Sequence, residues 1–178
     1  MAVAVDERVF AEVKRHCGAD LDGDELLRRV AESLRRAVPW DVYCGATVDP
    51  ASNLITRGVG SDWGDDADAA QTFLDVVYFA EDRQRTLAML RDGHTVTLLS
   101  EVTGGKPERS LRYRFLLQPR NLGHELSANF VDRQLWGGLD LIRDAGRPDF
   151  TARETALVRR IAPHVGAGLK VAALRARR

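Results

Sequence analysis

Residues 122–174 constrain the fold of this chain more than any other stretch: LGHELSANFVDRQLWGGLDLIRDAGRPDFTARETALVRRIAPHVGAGLKVAAL. Glu125 to Val131 and Leu135 to Ile142 alternate in hydrophobicity on either side of Asp132-Arg133-Gln134, the pattern of an antiparallel hairpin. Leu126, Ala128 and Phe130 share one face of the first strand; Leu135, Gly137, Leu139 and Leu141 share one face of the second. Gly137-Gly138 falls mid-strand, where glycine marks a bulge or the close approach of a ligand or another backbone. A Gly-Pro loop follows, and Thr151-Ala-Arg-Glu154 reads as a capping box opening a long helix. Its apolar stripe is Leu157, Ile161, Val165, Leu169 and Ala172. Pro163 removes a backbone hydrogen bond inside it, so a kink is expected near residues 159–162. Gly166 and Gly168 permit close approach of a neighbouring helix. The helix runs to Arg175, Arg177 and Arg178 without a stop signal, so a further domain is expected beyond it.

The rest of the chain supplies a second hairpin and more helix. Val9, Phe10, Val13 and Cys17 have helical spacing, with Gly18 as a stop. Asp22 or Asp24 caps a second helix whose stripe is Leu26, Leu27, Val30, Ala31, Leu34 and Val38, ended by Pro39. From Trp40 to Val48 the chain alternates, with Val42, Cys44, Ala46 and Val48 on one face and Tyr43, Gly45 and Thr47 on the other. Residues 49–53 turn the chain, and Leu54 to Val59 returns. Residues 60–70 read as an acidic loop, Gln71–Arg91 as one or two helices, and Thr95–Leu99 as a short strand. Pro107 is placed to start a helix through Leu117, closed by Pro119.

Helices flanking two hairpins imply an α+β domain with a central antiparallel sheet. The terminal helices (1–38 and 151–178) cover one face. Residues 40–142 hold the sheet and an insert, about 60–120, that covers the other face, where a cavity can form. At 178 residues, 44% hydrophobic and 29% charged, the chain suits one ordinary globular domain. Net charge is zero, which removes a whole-surface argument for nucleic-acid binding. No apolar run approaches the ~20 residues of a membrane span, and no signal peptide is evident, so a cytoplasmic protein is expected.

The order of elements resembles the GAF fold, a small-molecule sensing domain. LLRRVAESLRRAVPWD together with the 122–174 segment resembles the N-terminal GAF-like domain of actinobacterial LuxR-type transcriptional regulators. The resemblance implies a non-enzymatic sensor that relays ligand binding through the last helix to a helix-turn-helix domain. DNA contact would come only through that further domain, which this chain does not contain. It also implies a homodimer through the terminal helices. Tetrapyrrole-binding GAF domains attach their chromophore through a cysteine after the central strands; this chain has none beyond Cys44, so no covalent bilin is expected. The NKFDE motif of cyclic-nucleotide-binding GAF domains is not evident, and no cofactor is expected.

Chemistry-bearing residues are sparse. His16, His94, His124 and His164 have no partners at metal spacing, and His16-Cys17 alone is two ligands short of a zinc site. Cys44 reads as core, and Ser110 and Ser127 lie in no nucleophile-elbow pattern. Arg109, Arg112, Arg114 and Arg120 read as solvated charges on a surface helix. A pocket is sought among Trp40, Tyr43, Tyr78, Phe79, Tyr113, Phe115, Phe130 and Trp136. If Leu135, Leu139 and Leu141 contact the terminal helices, then Trp136, Gly138 and Asp140 face the cavity. Pro163, Gly166 and Gly168 are the expected relay positions. A ligand-free dimerisation scaffold and a small thiol enzyme using Cys44 are the alternatives.

Overall fold

A computed structural model of the chain describes residues 2–61, 71–72, 75–76 and 93–177. Among them the elements are α1 (Ala2–Gly18), α2 (Gly23–Leu34), β1 (Val42–Val48), β2 (Ile55–Gly60), β3 (Val96–Leu98), α3 (Leu99–Thr103), β4 (Leu122–Asp132), β5 (Gln134–Asp144) and α4 (Ala152–Arg175). All strand pairs are antiparallel and the order is β2-β1-β5-β4-β3. The two hairpins are thus joined through β1 and β5, as the α+β reading requires.

Local chemistry accounts for the element ends. Asp22 caps α2 by accepting from the Glu25 N–H at 2.8 Å, and Leu26, Leu27, Val30, Ala31 and Leu34 turn one buried stripe to the sheet. Thr151 and Glu154 form the reciprocal capping box of α4. Arg133 turns the β4–β5 hairpin at φ 60. α1 and α4 run side by side in the same direction, tied by Arg153 to Asp6 near their starts and Arg175 to Asp20 near their ends.

One sheet face is a conventional apolar core. Tyr43 and Gly45 of β1, Val59 of β2, Leu139 and Leu141 of β5, Leu126, Ala128 and Phe130 of β4, and Val96 and Leu98 of β3 lie here. They pack with the stripes of α1, α2 and α4 in one cluster. Glycines let the layers close. A Cβ on Gly137 would stand 2.8 Å from Leu169 of α4, one on Gly168 3.2 Å from Cys17 of α1, and one on Gly166 2.7 Å from the Val131 carbonyl oxygen. Gly168 therefore serves a helix–helix contact as expected, whereas Gly166 meets strand backbone.

The connection from β3 to β4 departs from the expected single helix. Pro107–Arg109 is one 3-10 turn, Tyr113–Leu117 is a π-helical turn, and Gln118–Arg120 is another 3-10 turn. Ser110 between them is extended, and its hydroxyl accepts from the Tyr113 N–H at 3.3 Å. This serine competes locally with a continuing helix. Leu116 and Leu117 drop from the π turn onto the second sheet face, joining Leu99, Leu122 and Ile142 in a smaller core.

α4 passes through Pro163 without interruption, and Pro163 faces solvent. Arg143 at the end of β5 fastens the helix start. Its guanidinium donates to the Pro39 carbonyl at 2.7 Å, to the Pro148 and Asp149 carbonyls at 3.2 Å, and to Glu154 at 2.6 Å, while stacking on Phe150. Burial alone would raise the Glu154 carboxyl, but the Thr151 and Arg143 donors hold it below its usual range.

Candidate functional site

Cross-strand pairing brings polar residues together on the face away from the terminal helices. Asp140 lies between Cys44 and Ser127, and Glu125 lies one row away beside Ile142. Each alternates with apolar residues that point into the main core, so strand geometry alone turns these polar groups to one side.

Arg112, just before the π turn, descends onto this face. Its Nε donates to Glu125 Oε2 at 2.7 Å and its Nη2 to Asp140 Oδ2 at 2.6 Å. The Ser127 hydroxyl donates to Glu125 Oε1 at 3.2 Å. The side chains of Arg112, Glu125 and Asp140 are only 15%, 7% and 19% exposed. A buried ionic network of this kind is a costly way to fill space, because hydrophobic side chains of equal volume are often at least as stabilising. Burial pushes the Glu125 carboxyl up, the Arg112 charge pulls it back, and Asp140 adds to the rise. Burial would lower the Arg112 guanidinium, but Asp140 and Glu125 outweigh it and drive its value up. Arg112 is therefore a fixed cation at any working pH.

Cys44 lies beside this network. Burial, reinforced by the Asp140 charge, pushes its thiol up to about 12, and burial takes Cys17 to about 11. Neither is a thiolate near neutral pH, so neither is activated as a nucleophile. Among the described residues, no group of three or more His, Cys, Asp or Glu could hold a metal ion.

The sequence-derived candidates separate. Gly138 and Asp140 lie on the network face, as expected, with Leu139 and Leu141 on the helix side. Tyr113 packs against the smaller core on the same side as the network. Trp40, Tyr43, Phe130 and Trp136 are corrected to the helix-side core. Trp40 donates to the Ala31 carbonyl at 2.9 Å and meets Tyr43 edge-on at 4.9 Å. Trp136 breaks the alternation because Phe130 pairs with Gly137 while Val131 pairs with Leu135. Trp136 is the extra residue of a β-bulge, which re-aims its side chain. Phe115 is 56% exposed on the π turn, beside Arg114. Tyr78 and Phe79 lie outside the described residues.

Glu125 was not singled out by sequence and Ser127 was weighed only as a nucleophile, while Arg112, read as a solvated surface charge, is corrected to a buried ion-pair partner. A usable signal was present in β4, where Glu125 and Ser127 alternate with the apolar run Leu126, Ala128 and Phe130. No such signal marked Arg112, because its place depends on the broken helix before β4.

Comparison with known proteins adds the fold. No protein-family model matches the chain, and no curated protein matches it. Solved structures do. A GAF domain/HD domain protein from Geobacter sulfurreducens is 25% identical, covering 86% of this chain and 95% of that one, with a TM-score of 0.58. GAF3 of Slr1393 from Synechocystis sp. PCC6803, in its photoproduct state, is 20% identical over 88% of this chain and 98% of that one, with a TM-score of 0.59. The LBD domain of VqsR from Pseudomonas aeruginosa is 16% identical over 96% and 95%, with a TM-score of 0.57. The five-stranded antiparallel sheet with its flanking helices is a GAF-like fold.

Proposed function

We propose that this chain is a sensory GAF-like domain that binds a small molecule over the Arg112–Glu125–Asp140 face of the sheet. The likeness to GAF domains and to an LBD domain supports a sensory role. The observation that carries the binding site is the ionic network itself, placed on inner strands that stay half-buried at Cys44, Ala46, Gly138 and Asn129. A structural core would fill such positions with large apolar side chains. In this reading α4 passes the state of the sheet to the DNA-binding domain of a LuxR-type regulator in the cytoplasm, and the protein acts as a homodimer through its terminal helices. The protonated thiol of Cys44 favours a non-enzymatic role over a thiol enzyme. A ligand-free scaffold would call for a network face filled by its own aromatics; among the described residues that face has Tyr113 at its smaller core, whereas Trp40, Tyr43, Phe130 and Trp136 fill the other face.

Native mass spectrometry of freshly purified protein tests the reading. A co-purified molecule is expected, released on denaturation and absent from Ala46→Leu, whose added carbons enter the same face. A wild-type protein at its bare mass, with no compound in a metabolite screen raising its Tm, would sink the sensor reading.

A further inference from the structure

Two adjacent rows of residues run across the network face. Gly60, Cys44, Asp140, Ser127 and Thr97 make one; Gly58, Ala46, Gly138 and Asn129 make the next. The second row carries no side chain larger than Asn129, so it leaves a trough beside Asp140. Inner-strand residues in both rows remain half-buried, and among the described residues no large side chain stands in the second row.

The polar groups at this trough are unequally used. Glu125 engages both its oxygens, one with Arg112 and one with Ser127. Asp140 gives only Oδ2 to Arg112, and its Oδ1 has no protein hydrogen bond among the described residues. Two carboxylates here share one described guanidinium. An incoming anion would have to displace a carboxylate from Arg112 and sit beside it. An incoming cation meets an acceptor already in place, and the two carboxylates offset the repulsion it feels from the Arg112 guanidinium.

Building on the sensor reading, we propose that the ligand carries a cationic nitrogen, an ammonium or amidinium, that donates to Asp140 Oδ1. Its body lies along Gly138 and Ala46. The Thr97 hydroxyl and the Asn129 amide border the trough and accept or donate at the ligand's edges. Glycine at 138 matters because a side chain there would rise into the space the ligand body takes.

Three probes of one shape and different charge test this: benzamidine, benzamide and benzoate, titrated into the wild-type chain by calorimetry and thermal shift. Benzamidine is expected to bind at least tenfold more tightly than the other two, and Asp140→Asn is expected to cost benzamidine tenfold or more. Amide NMR of the wild-type protein keeps the test open if that variant does not fold. Benzamidine should then move the Gly138, Asn129 and Asp140 resonances first. Benzoate or benzamide binding as well as benzamidine, or shifts confined to other residues, overturns the cation proposal. So does a co-purified ligand that is neutral or anionic, although that result leaves the sensor reading standing. No benzamidine binding and no co-purified molecule together remove both.

Discussion

Glu125 is the residue whose ionisation most directly couples this face to stability. Its carboxyl is raised in the folded state relative to its ordinary value of 4.5, with burial as the main cause. A carboxyl raised on folding holds its proton more tightly in the native state. Its stabilising effect is therefore complete at low pH and is lost as pH climbs from the ordinary value through the raised one. Glu154, Glu12 and Asp41 are held low and act with the opposite sign, gaining stability as pH rises through the carboxylate range. The difference between wild type and Glu125→Gln isolates the Glu125 contribution. Glu125→Gln is expected to gain on wild type in urea-unfolding free energy as pH goes from 4 to 8; an unchanging difference would sink the argument. Arg112→Met should behave in the opposite sense, costing about 3–5 kcal/mol near neutral pH because two buried carboxylates lose their partner. The same contrast shows how far the site was legible. Asp140 could be assigned to the correct face by counting along a strand. Its partner could not, since Arg112 and Asp140 are 28 residues apart and meet only because the π turn redirects the chain.

At the scale of elements, legibility followed the range of the interactions involved. The capping box of α4, the Asp22 cap and both hairpins depend on residues a few positions apart, and each formed where expected. The Trp136 bulge and the broken helix before β4 depend on register and on packing across the sheet, and local pattern did not reach them. α4 offers paired tests. Pro163 is exposed, and a proline inside a helix costs about 3 kcal/mol relative to alanine. Pro163→Ala should therefore raise the unfolding free energy, by less than that full amount because the native helix has already accommodated the ring. Gly166 presents the reverse case. Alanine is favoured over glycine by about 1 kcal/mol in a helix, yet a Cβ at 166 would stand 2.7–2.9 Å from the Val131 backbone. Strand backbone cannot swing aside, so Gly166→Ala is expected to destabilise. Chemical denaturation of the two variants checks both signs, and a stabilised Gly166→Ala would show that α4 is less tightly seated on β4 than the structure indicates. Thr151→Ala removes the cap and should cost about 1 kcal/mol.

At the scale of the whole molecule, the two sheet faces divide the work, and the proposed homodimer would use the helices on the apolar face. The outward side of α4 carries Ala156, Pro163, Ala167, Val171 and Leu174, small or apolar residues at helical spacing. Val171 and Leu174 are 44% and 46% exposed. A parallel two-fold pairing would bring these two residues against their counterparts and let the alanines approach closely. It would also bring together the arginine-rich helix ends, which by itself is unfavourable. Arg175 pairs with Asp20 at 2.6 Å and Arg177 with Asp49 at 3.4 Å, so each end carries compensating acid from its own chain. Like-charge repulsion between the ends is thereby reduced, and salt should change the association only modestly. Size-exclusion chromatography with light scattering is expected to give a dimer mass for the wild-type chain at tens of micromolar. Val171→Glu with Leu174→Glu should give a monomer with an unchanged circular-dichroism spectrum, because both positions are outside the core. A wild-type monomer at high concentration would sink the dimer reading, and a double variant that stays dimeric would place the interface elsewhere.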